Sequence, residues 1–363
     1  MLNFALTFTL HFALSLHIEF ASRRSQDELL VGTSVQTKCT QRRIFMTANE
    51  IPVFFTIDDA YAPFLGVALR SAIENSDKTR NYKAFVLHQG LSQENTEKLK
   101  SLETDNFKIE ITPIKQSFDA IEDREGNRLR YDFFTLTIYF RLFIPSLFPQ
   151  YDKGIYIDSD VVLLEDIAHL FDTEIGSNLI GACQDMSITD IPPFVNYTEE
   201  AVGVKFEEYI NSGVLLMNLK ELRKQGFEEH FLNLLRTYHF DSVAPDQDYL
   251  NAICNGKIHY LDPKWDFMPN NEKPIMESPA LVHYNLFSKP WCYDDIQHGD
   301  KFWHYAKNSG YYESLREFKD NFDTSKTEEE SACLENMLSR AIDIPKGKVT
   351  MRKIAESGVR VRL

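Results

Sequence analysis

From Pro52 to about residue 317, short apolar runs alternate with longer segments of helical period. That alternation restricts the chain to a layered α/β architecture. Strands are predicted over 53–57, 82–88, 107–111, 153–157, 179–184, 212–217, 257–261 and 280–283. Helices are predicted over 62–75, 92–103, 134–144, 218–237, 246–254 and 300–317; in the first of these Leu65, Leu69, Ala72 and Ile73 recur at three- and four-residue steps. Neither a repeat nor a linker divides the region, so residues 46–317 are expected to form one catalytic-sized domain. The acidic run 324–330 reads as a solvated linker to a small C-terminal appendage, 318–363.

Composition narrows the function. A net charge of −15 over 363 residues argues against unaided binding to nucleic-acid phosphates and leaves room for a cation among clustered carboxylates. The charge is uneven: from Lys346 onward six cations face one acid, a tail of +5 behind a body of −20. Cys39, Cys183, Cys254, Cys292 and Cys333 contain no Cys-x-x-Cys pair and are odd in number, which suits buried thiols in a reducing, cytoplasmic compartment. No GxGxxG or Walker loop is present, which disfavours dehydrogenases and NTPases.

Residues 1–45 form a leader with two readings. The apolar run 1–22 has no preceding cation and is interrupted by His11, His17 and Glu19, so it is a poor secretory signal and a poor membrane span. One reading is a disordered or spurious leader, with translation starting at Met46. The other is a weak signal-anchor followed by Arg23-Arg24.

The stretch Gly154-Ile155-Tyr156-Ile157-Asp158-Ser159-Asp160 delivers two carboxylates to the end of an apolar strand, the edge of an α/β sheet where ligands bind. Ionised carboxylates so close repel unless a cation bridges them, and an oxygen-rich site suits Mg²⁺ or Mn²⁺. Alternatively, one Asp caps the next turn and the other is solvated. Phosphatase-like hydrolases also carry such a pair, but usually on their first strand, whereas here three strand candidates precede it.

Further stretches occur in a fixed order: Phe54 to Tyr61, Thr137 to Leu142, Asn211 to Leu219, Asp246 to Asn251 and His283 to Trp291. With the Asp-Ser-Asp run, they make residues 51–291 resemble glycosyltransferase family 8, the retaining galactosyl- and glucosyltransferases related to glycogenin and to bacterial lipopolysaccharide galactosyltransferases. The resemblance implies a GT-A fold, with a Rossmann-like mixed sheet flanked by helices. It also implies a hexosyltransferase that takes a UDP-hexose donor to a glycan or glycolipid hydroxyl.

Carried over residue by residue, the resemblance makes Asp158, Asp160 and His283 the ligands of Mn²⁺, one imidazole tilting the site away from Mg²⁺. Lys289 grips the diphosphate, Asp58 and Tyr61 take the nucleotide, and Arg141 meets the diphosphate and sugar hydroxyls. Asn211 and Asp246 face the donor sugar, and Gln247 lies beside the anomeric carbon. Each has a plainer alternative: Asp58 as a helix cap, Asp246 as a first-turn dipole partner, Arg141 as a structural ion pair. Gln247 is a poor nucleophile, so front-face attack with retention is expected in place of a covalent intermediate. Ala60 and Leu286 depart from the family's frequent Asn and Gly, which bears on nucleotide recognition and on the diphosphate loop. In the basic tail, Val349, Met351, Ile354, Val359, Val361 and Leu363 suit peripheral contact with an anionic membrane.

Overall fold

Most strands form where the sequence is apolar on both faces. The computed structural model describes residues 50–114, 121, 136–287, 289–323 and 326–363, so the leader, including Cys39, lies outside the described residues. The strands are β1 (Glu50–Thr56), β2 (Asn81–His88), β3 (Phe107–Pro113), β4 (Gly154–Ile157), β5 (Val161–Leu163), β6 (Ile180–Gln184), β7 (Ile210–Met217), β8 (Ile258–Tyr260) and β9 (Leu281–His283). Seven of them form a mixed sheet in the order β3-β2-β1-β4-β7-β6-β8, in which β7 runs antiparallel to both neighbours. The remaining two, β5 and β9, pair antiparallel as a separate ribbon.

Side chains that alternate along a strand feed two cores, one on each face of the sheet. In β1, Val53 and Phe55 face one core and Phe54 the other; in β7, Val214 and Leu216 oppose Leu215 and Met217. Helices cover both faces: α1 (Ala62–Asn75), α2 (Gln93–Lys100), α3 (Ile144–Leu147), α4 (Ile167–Phe171), α5 (Pro192–Tyr197), α6 (Leu219–Lys224), α7 (Phe227–Tyr238), α8 (Pro245–Cys254), α9 (Gly299–Ala306), α10 (Tyr312–Asp320), α11 (Lys326–Asp343) and α12 (Met351–Glu356).

The expected elements recur with five differences. The helix expected over 218–237 is split by Gly226, whose φ of +67° leaves the helical region, and that over 300–317 is split likewise at Gly310, φ +81°. The segment expected as a helix over 134–144 is a 3₁₀ turn from Thr137 to Phe143, because Pro145 has no N–H to give the Arg141 carbonyl. The three-residue β5 carries too short a pattern to be read. The region taken as a solvated linker is the start of the 18-residue helix α11, whose Met337 and Ala341 are buried in the same core as β7.

The tail follows the same course. Met351 and Val361 are buried, and the Leu363 N–H donates to the Ile253 carbonyl at 3.0 Å. Much of the apolar set expected to face a membrane is therefore turned inward, and Val349 is the exposed one of the large residues. Arg352 pairs with Glu356 at 2.8 Å and also with Glu200, and Lys346 pairs with Asp343. Among the described residues no helix is long and apolar enough to cross a membrane.

Leu216 sits fully buried in β7 between β4 and β6. Leu216→Ala is expected to cost about 3 kcal/mol through lost transfer energy and an unfilled cavity, seen as a lower urea midpoint at unchanged slope.

Candidate active site

Because β7 is antiparallel, its N-terminal end lies at the same edge as the C-terminal ends of β1, β4 and β6. That edge gathers Asp58, Asp158, Asn211 and Asp185 along one cleft, lined also by Tyr61, Asp160, Arg141, Asp246, Gln247, His283 and Lys289. Every residue expected in the site therefore faces one cavity.

The three expected metal ligands converge. One donor atom each from Asp158, Asp160 and His283 lies within 4.8 Å of the others. The β5–β9 ribbon accounts for this: Val161 pairs with His283, and the Tyr284 N–H donates to the Asp160 carbonyl at 2.9 Å, so the imidazole is held beside the second Asp. Nε2 of His283 lies 3.8 Å from Asp158 Oδ2 and 3.4 Å from Asp160 Oδ1. Gly213 makes room, since a Cβ there would meet His283 Cε1 at 2.3 Å and Asp158 Oδ2 at 2.9 Å.

The donor set fits a divalent cation. The buried Nε2 of His283 has no hydrogen-bond partner, while Nδ1 lies 2.8 Å from Asp266 Oδ1. A carboxylate behind one ring nitrogen fixes the tautomer that aims the other nitrogen's lone pair at an ion. Asp158 is likewise divided: Oδ1 accepts from the Tyr156 hydroxyl at 2.5 Å and faces the Arg141 guanidinium at 3.0 Å, leaving Oδ2 for the cleft. Burial alone would drive protons off His283, but Asp266 and Asp160 outweigh it and push the imidazolium up to about 10. Burial also disfavours the Asp160 carboxylate, yet Lys289 and His283 hold its pKa far below the usual carboxylate range.

Two cations behave differently from expectation. Arg141 is buried, and its donors are committed to protein: to Ser212 O at 2.5 Å, to Ile138 O at 3.1 Å, and to Asp158 and Asp246. It stacks over Tyr156 with its guanidinium carbon 4.3 Å from the ring centroid. Its contacts are those of the structural ion pair, now joining two site carboxylates. Lys289 Nζ lies 2.5 Å from both Asp160 Oδ2 and the Tyr284 carbonyl, so here it neutralises an expected metal-ligand carboxylate.

On the sugar side, Asp246 accepts from the Ser212 hydroxyl at 3.0 Å; burial pushes its carboxyl up while Arg141 pulls it back. Both ends of the Gln247 amide are held, the carbonyl by the Ser212 N–H at 3.0 Å and the NH₂ by Asp185 at 2.9 Å. Asn211 Oδ1 accepts from the Gly213 N–H at 2.8 Å. Asp58 caps the turn ahead of α1 by accepting from the Tyr61 N–H at 3.1 Å, as the plainer reading has it, and still lines the cleft. Leu286 has φ +52°, the left-handed region that a glycine adopts freely.

Sequence reasoning missed Asp185, Asp248 and Asp266. Asp185 follows the end of β6 much as Asp58 follows β1, so the strand-edge rule could have found it. Asp248 is a buried carboxylate accepting from the hydroxyls of Tyr197 at 2.5 Å, Tyr209 at 2.6 Å and Ser242. Asp266 lies in a short turn between elements and carries no local signal.

The family model for glycosyl transferase family 8 matches residues 52–295, and the chain belongs to that family. It is a hexosyltransferase of GT-A fold. General stress protein A of Bacillus subtilis is 28% identical over 269 residues, covering 68% of this chain and 90% of that protein. Lipopolysaccharide 1,2-glucosyltransferase of Escherichia coli is 24% identical over 259 residues, 68% of this chain and 74% of its own. The structure of the galactosyltransferase LgtC in complex with donor and acceptor sugar analogs is similar with a TM-score of 0.60 at 25% identity, covering 71% of this chain and 96% of that one. The bifunctional glycosyltransferase WbbM shares the fold at a TM-score of 0.65 and 23% identity, over 76% of this chain and 53% of that one.

Two outcomes follow from the His283 environment. Asp266→Asn frees the imidazole tautomer and is expected to weaken divalent-cation binding about 10- to 100-fold by calorimetric titration. Since Asp266 and Asp160 favour the imidazolium form of His283, cation binding is expected to release a proton; affinity should then rise with pH, and titrations in buffers of different ionisation enthalpy should count the proton.

Proposed function

We propose that this chain transfers a galactose or glucose residue from a UDP-sugar to a hydroxyl of a glycan or glycolipid, with retention at the anomeric carbon and with Mn²⁺ as the metal, Mg²⁺ being the alternative. The observation that carries this is the convergence of Asp158 Oδ2, Asp160 Oδ1 and the unpartnered His283 Nε2 beside the buried Asp246-Gln247 pair. Bound there, the cation supplies Lewis acidity and positive charge to the leaving diphosphate.

The chain's own residues do the rest. Lys289, tethered to Asp160 in the free protein, turns its ammonium to the diphosphate once other charge neutralises that carboxylate. Arg141 keeps Asp158 and Asp246 at fixed separation, so the metal end and the sugar end of the donor are gripped in register. Asp246 and Asn211 accept from or donate to donor-sugar hydroxyls. Gln247, clamped between the Ser212 N–H and Asp185, presents its carbonyl dipole to the positive charge that grows at the anomeric carbon. The anomeric C–O bond to phosphate breaks, the acceptor oxygen bonds to the same face, and the acceptor proton passes to the leaving phosphate oxygen.

Asp58 and Tyr61 line the nucleotide end; Ala60 offers no polar group there, so nucleotide recognition rests on its neighbours. The thiols of Cys183 and Cys254 are buried and unbridged, which supports a cytoplasmic setting.

The test is a panel of UDP-sugars with Mn²⁺, reading UDP release and then transfer to candidate glycans. Asp160→Asn should abolish metal-dependent turnover, and Gln247→Ala should lower kcat on the order of 10²-fold at little-changed donor KM. Tight UDP-sugar binding without turnover would instead make this a sugar-nucleotide-binding protein.

A further inference from the structure

Beyond the donor machinery, the same cleft has a wall that the proposed reaction does not use. Ile188, Ile191 and Phe194 enter it from the β6–β7 connection, Val243 from the turn before α8, and Leu334 and Met337 from α11. Leu334 and Met337 are three residues apart and so share one helix face. Helix α11 lies wholly outside the family-matched span 52–295. Ile188, Ile191 and Leu334 are only partly buried, and all three pack on the core behind them. They thus present open apolar surface inside the same cavity of about 570 Å³ that holds the charged residues of the site.

The sheet order assigns this wall to one substrate. Along the edge, Asp58 follows β1, Asp158 follows β4, Asn211 lies at the start of β7 and Asp185 follows β6. Three strand spacings separate β1 from β6, roughly 14 Å, about the span of a nucleotide diphosphate and its sugar. The wall continues from Asp185 through Ser187, which donates to that carboxylate at 2.5 Å. It is also rigid with respect to the transfer point. Arg340 of α11 donates to the Ser242 carbonyl at 2.9 Å, and Tyr197 of α5 donates to Asp248, the residue after Gln247.

We propose that this wall binds the acceptor, and that the acceptor carries an alkyl chain close to its accepting sugar, as in a lipid-linked glycan, with Leu334 a specificity-determining residue. A bare polar oligosaccharide would leave the partly open apolar surface of Ile188, Ile191 and Leu334 in contact with hydroxyls. An alkyl chain removes it from water, at about fourfold in affinity per buried methylene. The proposal rests on the glycosyltransferase reading for its role, but its test does not need turnover.

The experiment is calorimetric titration of the full chain with methyl and hexyl β-galactosides and β-glucosides, with and without UDP and Mn²⁺. Hexyl glycosides are expected to bind at least tenfold more tightly than methyl ones, which two buried methylenes already supply. Leu334→Ser should cut that ratio to under threefold, and Leu334→Met should keep it; Ile191→Ser is the second variant should Leu334→Ser not fold. Equal affinity for the two chain lengths in the unsubstituted protein, or a ratio untouched by both serine variants, overturns the proposal. A chain-length preference in a protein that releases no UDP from any UDP-sugar supports the wall while overturning the transfer reading, so the two failures are distinguishable.

Discussion

The site is organised around one buried guanidinium. Burial works against the charge of Arg141, and the carboxylates of Asp158 and Asp246 on either side outweigh that and hold its pKa above the usual arginine range. Without it, Asp158 and Asp246 would be left as buried or half-buried anions in mutual repulsion, and the strand end that carries Asp158 would lose its link to the helix that carries Asp246 and Gln247. The planar fork suits the task, because one side chain reaches Asp158, Asp246 and the Ser212 backbone in different directions. Lysine, with a single ammonium, could not span these partners.

A second constraint is steric. The approach of His283 to Asp158 runs over Gly213, where even a methyl group would collide with the imidazole. The small Ser212-Gly213 pair thus makes room for the Asp158-His283 approach through the glycine and holds the other end of the site through the serine, whose N–H, carbonyl and hydroxyl bind Gln247, Arg141 and Asp246. Two adjacent residues couple the two halves of the site.

Much of this was legible in the sequence, for a physical reason. The inner strands of the central sheet are apolar on both faces and stand out against their flanks, so β2, β4, β6 and β7 could be read to within two residues and β1 to within three, and the strand-edge acids with them. Elements whose stability comes from distant partners could not be read. β5 has three residues and exists because it pairs with β9, about 120 positions later, yet this pairing brings His283 to Asp160. Asp266 matters only through His283, and no local pattern announces it. The acidic start of α11 looks solvated because it is; the face that matters begins later, at Leu334. The protein-side partners of Arg141 and Lys289 could not be read for a related reason. A cation near a binding site is read as facing ligand, whereas both are held here by the site's own carboxylates.

The family-matched span ends at residue 295, but the core does not. Met337, Ala341, Met351 and Val361 fill the same hydrophobic cluster as the central strands, and the last residue is hydrogen-bonded to α8. A chain ended near residue 317 would keep every expected metal and sugar ligand. It would also bare an apolar face over α5 and α8, of the kind that drives self-association. Packing therefore carries the folded unit at least 68 residues beyond the span matched by sequence similarity, to Leu363.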